Sequence, residues 1–188
     1  MLPVGSSSST APHLPLGAET RVVEHIARLV ALARGLLIAP TLAYGVQPAE
    51  LARDGGAALR RKTLHRVINE LIDSWEVGAG IRHLVLLTAH ASDAHLEALS
   101  TVRTERASVC AVDLLSIDIP LEGAPEQQDQ RRLYILTELM AYLAPELLPQ
   151  ATASGQYQPD AARHGGRIAE ALVERVLRLV DANLTEEM

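Results

Sequence analysis

Two side chains in this sequence combine a reactive residue type with a telling position. Glu19 stands at the start of the helical run "ETRVVEHIARLVALAR", where the positive end of a helix stabilises a carboxylate. His90 closes the run "RHLVLLTAH", at the carboxyl end of an apolar strand. In open parallel sheets that end borders the ligand crevice. A carboxylate and an imidazole at such places supply general acid–base chemistry. Each also has a plainer role open to it, Glu19 as a helix cap and His90 as a hydrogen-bonded loop histidine. His13 lies between Pro12 and Pro15, which stiffen its loop. Asp93 reads as helix-capping more than catalytic. His95, on the following helix, is expected to be exposed.

Just before Glu19 runs "GSSSSTAPHLPLGAET". Its first half is a row of small hydroxyls. These suit hydrogen bonding to a polar substrate, or a flexible solvated loop. The chain has no G-x-S-x-G elbow and no S-x-x-K motif, so the serines lack the usual nucleophile settings. The helix starts too late after them for a phosphate-loop geometry.

Alternating strand and helix patterns must position these residues. "MLPV" reads as a strand. Val22, Val23, Ile26, Leu29, Val30 and Ala33 form a helical stripe that Gly35 would stop. "LLIAP" has strand length, and "TLAYGVQPAELARDGGAA" reads as a loop. "LRRKTLHRVINELIDSWEVG" carries a second stripe through Leu64, Val67, Ile68, Leu71, Ile72 and Trp75. "RHLVLLTAH" is an apolar strand of the parallel-sheet kind. "SDAHLEALSTVRTE" is a helix with Ser92 as candidate N-cap. "ASVCAVDLLSI" is a further strand. "RRLYILTELMAYLAPELL" is a helix ending near Pro145, "ATASGQYQPDAARHGG" a loop, and "RIAEALVERVLRLVDANL" the closing helix. This alternation implies an α/β fold of three α/β/α layers around a mostly parallel central sheet. A single domain over 1–188 is expected.

Composition narrows the function classes. The net charge is −6 and the densest basic cluster is only Arg60-Arg61-Lys62, read as a solvated helix start. With no Phe and one Trp, base-stacking surfaces are scarce. Nucleic acid is therefore not an expected partner. Cys110 stands alone in an apolar run and is expected to be a buried strand residue. No window reaches the roughly 18 apolar residues of a membrane span, and no secretory signal is visible. No membrane partner and a cytoplasmic location are expected.

The segment "LPVGSSSSTAPHLPLGAET" resembles the signature of the creatininase, or creatinine amidohydrolase, family, L-P-V-G-S-T-E-Q-H-G-P-H-L-P-L-G-T-D-T. The Pro12–Gly17 core matches it without a gap. "LLIAPTLAYGVQPAEL" resembles the family's A-P-x-x-x-Y-G block, which places Tyr44. "RHLVLLTAHASDAHLEAL" resembles the strand leading into N-G-H-G-G-N, and "LMAYLAPELL" and "RIAEALVERVLRLV" resemble the late helices. The likeness runs along nearly the whole chain.

The resemblance implies a creatininase-like fold and, in ordinary members, two divalent metals that polarise an amide carbonyl and supply hydroxide. Carried over residue by residue, the family's first glutamate ligand falls on Ser8, its histidine on Thr10 and its bridging aspartate on Glu19. The later histidine falls on His90. A late-block glutamate falls near Leu136, and that block's histidine near Arg131. The second block's glycines and asparagines become Thr88, Ala89, Ala91, Ser92 and Asp93, whose Cβ atoms reshape the pocket. Two ligands remain, where a catalytic zinc usually takes three plus water. His13 or Asp93 would be needed even for a single-metal site.

The resemblance thus implies a divergent enzyme with no metal and no cofactor. Glu19 and His90 are its expected catalytic pair. Ser7, Ser8, Thr10, His13, Tyr44, Thr88 and Asp93 are its expected substrate-binding residues. The substrate would be a small polar metabolite undergoing cyclisation, condensation, dehydration or amide C–N chemistry, in a specialised biosynthetic pathway. A Ser8–His90–Glu19 nucleophile arrangement is an alternative mechanism. So is a non-catalytic subunit partnering a metal-bearing homologue, or a metal-dependent amidohydrolase with a rewired site. A homo-oligomer, or a hetero-oligomer with a homologue, is expected from the family.

Overall fold

The computed structural model describes residues 1–8, 10–47, 55–104, 106–121, 123–149 and 160–185. Parts of two expected loops, at 48–54 and 150–159, lie outside them. Among the described residues three strands form one parallel sheet in the order β1 (Leu2–Val4), β2 (His83–Thr88), β3 (Ser108–Asp113). Leu2 pairs with Leu86 and Val4 with Thr88, while Leu86 pairs with Ala111 and Thr88 with Asp113. The helices are α1 (Ala18–Arg34), α2 (Arg61–Ala79), α3 (Asp93–Ser100), α4 (Gln128–Leu143) and α5 (Ala161–Thr185).

Alternation along the strands feeds two cores, one on each face. Leu2, Val4, Leu84 and Leu86 pack with Leu64, Ile68 and Ile72 of α2 and Ala98 and Leu99 of α3. Val85 and Leu87 pack on the opposite side with α1, α4 and α5. Successive strand residues point to opposite faces, so a strand buried on both must be apolar throughout. The expected three-layer α/β/α architecture is therefore observed. Val22, Val23, Ile26 and Val30 of the α1 stripe are fully buried. Gly35 ends α1 in the left-handed conformation, with φ 64°, where a Cβ is disfavoured.

Four expectations need correction. "LLIAP" forms no strand. Its neighbourhood runs beside β1 through Ala39 N–H to Met1 O, Leu42 N–H to Pro3 O and Gly5 N–H to Leu42 O. The pairing slips by one residue, since Leu42 rather than Thr41 follows Ala39 in bonding β1, and Leu37 and Ile38 stand exposed. Ser92 occupies the N-cap position of α3, but its hydroxyl donates to Val46 O at 2.8 Å rather than capping the helix. Cys110 is only half-buried. The stretch "AARHGG" is helix, the first turns of α5, and not loop.

That last correction has a packing cause. At Gly165 an added Cβ would lie 2.0 Å from the Glu138 carbonyl oxygen. Glycine there lets α4 and α5 cross with backbone almost touching backbone. Glycine's poor helix propensity, roughly 1 kcal/mol, is offset by this close contact. Gly165→Ala should therefore destabilise the protein by about 1–3 kcal/mol despite alanine's better propensity. Urea denaturation of the two proteins checks this; equal or higher stability of the alanine variant would refute the contact.

Candidate functional site

The hydroxyl run, α1 and the two loops that follow Gly45 and β2 converge on one buried polar network. At its centre His90 Nδ1 donates to Glu19 Oε2 at 2.9 Å. The same oxygen accepts from Ser8 Oγ at 3.2 Å, and Oε1 accepts from Thr10 Oγ1 at 3.1 Å. Glu19 is 4% exposed and His90 6%. Their proximity follows from the fold. Glu19 is the second residue of α1, whose buried face lies on the sheet, and His90 lies just beyond the carboxyl end of β2.

The carboxylate fixes the direction of every neighbouring hydrogen bond, because it only accepts. Ser8 has one hydroxyl proton and gives it to Glu19. Ser6 Oγ, 2.7 Å away, therefore donates to Ser8, and in turn accepts from Gln47 Nε2 at 3.1 Å. On the other side His90 Nε2 donates to Val46 O at 2.8 Å. With both ring nitrogens donating, His90 is an imidazolium. Burial alone would lower its pKa. The hydrogen bond and charge of Glu19, the Val46 carbonyl and the charge of Asp113 outweigh burial and raise it.

His95 completes the cluster and was not expected to. It is fully buried, against the exposed position read from sequence. Its Nδ1 accepts from Val46 N–H at 3.2 Å, so its proton sits on Nε2 and is given to Thr88 Oγ1 at 3.1 Å. Thr88 Oγ1 also accepts from His90 N–H at 3.1 Å. Burial, then the charge of His90, pushes the His95 pKa down to about 3. The two rings meet edge to face, with centroids 4.8 Å apart. A signal for His95 was present in the sequence. His95, Ala98, Leu99 and Val102 fall at helical i, i+3, i+4, i+7 spacing, and all four are buried.

Of the expected site residues, Ser8, Thr10, Glu19, Thr88 and His90 meet here. The others do not. His13 bonds through Nε2 to Thr137 Oγ1 at 2.9 Å, on α4. Ser7 contributes only its carbonyl, which accepts from Ala57 N–H. Tyr44 is half-exposed and Asp93 lies exposed in the first turn of α3. Ser6, Gln47, Val46 and Ser92 were missed. Ser6 and Ser8 continue the two-residue spacing of Leu2 and Val4 beyond the end of β1. The Val46 contribution is pure backbone, which no side-chain pattern encodes. The order of partners also excludes the Ser8–His90–Glu19 relay in this arrangement, since the carboxylate stands between the hydroxyl and the imidazole.

Among the described residues no group of three or more His, Cys, Asp or Glu side chains is placed to hold a metal ion. The atoms bonded to the Glu19 and His90 side chains are two hydroxyls and a backbone carbonyl. The pair itself supplies one carboxylate and one imidazole, where a catalytic zinc usually takes three protein ligands and a binuclear site more.

The whole chain aligns with known relatives at both sequence and fold level. The family profile described as creatininase, creatinine amidohydrolase, matches residues 1–182. The chain belongs to the creatininase family. It is similar in fold to a crystal structure of creatinine amidohydrolase at 18% identity and TM-score 0.79, covering 98% of this chain and 90% of that one. A structure entitled creatininase Mn matches at 20% identity and TM-score 0.77, with the same coverages. A glutamate-to-glutamine variant of creatininase complexed with creatine matches at 18% and 0.78, covering 98% and 91%. No curated protein sequence matches significantly. No helix among the described residues is long and apolar enough to cross a membrane.

The pair has two measurable consequences. Removing one partner of a buried ion pair strands the other, so Glu19→Ala and His90→Ala should each cost roughly 3–5 kcal/mol. The double variant should cost less than the sum, a coupling that double-mutant denaturation reads directly. Stability should also peak near pH 6.5, the ordinary histidine pKa of the unfolded chain. The raised pKa of His90 makes its contribution complete below about pH 6.5 and lost as pH rises through the native value. The lowered pKa of His95 makes its contribution complete above about pH 6.5 and lost as pH falls toward about 3. Replacing His95 by Gln should flatten the acid limb of a urea-stability profile and leave the alkaline limb.

Proposed function

We propose that this chain is a metal-free member of the creatininase family in which Glu19 serves as general base toward a small polar metabolite. The observation carrying this reading is the unequal occupation of its two oxygens. Oε2 is held by His90 and Ser8, both deeply buried, whereas among the described residues Oε1 accepts only from Thr10, which is exposed. A carboxylate has about four acceptor positions, so Oε1 keeps one on the Thr10 side. A substrate N–H or O–H reaching that side can hand its proton to Oε1, while the Thr10 hydroxyl turns to the substrate.

His90 is then a positioning residue. Its protons face Glu19 and the Val46 carbonyl, so it neither gives nor takes a proton from a molecule at Oε1. It fixes the carboxylate and supplies the positive charge that metals supply in ordinary family members. Proton removal of this kind serves cyclisation, condensation, dehydration and amide C–N chemistry alike. A role in a specialised biosynthetic pathway, a cytoplasmic location and self-association belong to the same proposal. The structural relatives bearing the creatinine amidohydrolase name make small cyclic amides, creatinine among them, the first compounds to test.

The deep burial of the pair favours a second reading, a non-catalytic subunit joined to a metal-bearing homologue. The test combines metal analysis of protein purified without chelators with turnover of a panel of cyclic and linear amides. The enzyme reading expects metal content far below one equivalent, and turnover that falls about 10²–10⁴-fold in Glu19→Gln. About two equivalents of zinc or manganese would overturn the metal-free assignment. Unchanged turnover in Glu19→Gln would remove Glu19 as base. Activity only in a complex with a co-expressed homologue, indifferent to Glu19→Gln, would establish the second reading.

A further inference from the structure

A second polar cluster lies away from Glu19, on the facing sides of α4 and α5. It lines a cavity of about 830 Å³, closed on one side by Pro120 and Leu121 of the chain after β3. That volume is in the range of small-molecule sites. Tyr134 Oη and His164 Nδ1 are 2.9 Å apart. When Tyr134 Oη is the donor of this bond the ring's proton sits on Nε2, and in the imidazolium form Nε2 carries a proton as well. Nε2 has no hydrogen-bond partner among the described residues. Glu138 Oε2 lies 3.5 Å from His164 Nδ1, with its side chain only 4% exposed, and makes no hydrogen bond. Arg167 lines the same cavity three residues after His164, so the two share a helix face. The Arg167 guanidinium is exposed and makes no ion pair among the described residues.

Two further features favour an anion here. The cavity includes Ala161, the first residue of the 25-residue α5, and a helix N-terminus carries a partial positive charge. The acidic groups facing the space are Glu138 and the exposed Asp160. Burial raises the Glu138 pKa, which weakens the repulsion it would exert on an anion. Leu121, Ile168 and Ala171 supply an apolar wall.

We propose that this cavity binds a small organic carboxylate, its charge held between Arg167 and His164 Nε2 at the start of α5 and its carbon body against Leu121 and Ile168. The site is separate from Glu19 and His90 and stands whether or not Glu19 acts as a base. Propionate and lactate are suitable probes, with propanamide as the uncharged control of the same shape. Titration followed by heteronuclear NMR should show saturable shifts of the His164 side-chain resonances with both carboxylates and none with propanamide. Arg167→Gln, a change at an exposed position, should weaken binding at least about tenfold. Tyr134→Phe should alter the His164 resonances while keeping carboxylate binding. Glu19→Gln should leave it unchanged. Equal response to propanamide, no saturable shift, or undiminished binding in Arg167→Gln would each overturn the assignment.

Discussion

The backbone N–H and C=O of Val46 are held by two histidines, and much of the structure depends on that clamp. The N–H goes to His95 and the C=O to His90. Both rings, 4.8 Å apart, must therefore carry a proton on Nε2, and it is Glu19, at His90 Nδ1, that makes only His90 doubly protonated. Because His90 is charged, it needs Glu19. Because Glu19 is buried, it needs the hydroxyls of Ser8 and Thr10. Five segments distant in sequence are thereby fixed to one another: the chain after β1, the start of α1, the Gly45–Gln47 stretch, the end of β2 and α3. A buried network of this sort is strongest when its members are satisfied. Here the central carboxylate and both imidazoles are satisfied, while Gln47 Oε1 at its far end has no partner among the described residues.

The creatininase fold is retained around this network, with hydroxyls at positions where the resemblance places metal ligands. Ser8 and Thr10 stand where the resemblance places a carboxylate and an imidazole, and both now feed Glu19 with protons. Thr88 and Ser92 stand among positions where the resemblance expects asparagine and glycine. The Thr88 hydroxyl receives His90 N–H and His95, and the Ser92 hydroxyl binds the Val46 carbonyl. The substitutions are therefore mutually consistent. Loss of ligands alone would leave orphaned polar atoms around Glu19, and instead they are paired.

What the sequence made legible divides along physical lines. Apolar periodicity located β1, β2, α1 and α2 because burial on the sheet dictates it. It also brought Glu19 and His90 into consideration through their places at element ends, whereas Ser8 and Thr10 entered through the hydroxyl run and the family resemblance. It overcalled "LLIAP", where hydrophobicity is present but Leu37 and Ile38 face solvent and the pairing with β1 slips by one residue. It missed the helical state of "AARHGG", since two glycines suggest a loop until the Glu138 carbonyl is seen against Gly165. His95 was misplaced because residue type was weighed above its position on the Ala98, Leu99, Val102 stripe. Val46 and Gln47 could not be found at all, because their contributions depend on where a distant loop lands.

The hydroxyl row itself has a directional consequence. A line of hydroxyls can relay protons only if each hydrogen bond can reverse after a proton passes, resetting the line for the next. Here one end is an amide that donates, Gln47 Nε2, and the other a carboxylate held by an imidazolium. Every O–H between them is aligned toward Glu19, and turning the line around would leave Oε2 short of a donor. Ser6 and Ser8 are thus rectified. They behave as a fixed string of dipoles that focuses positive potential on one carboxylate, and not as a wire that conducts protons to the surface.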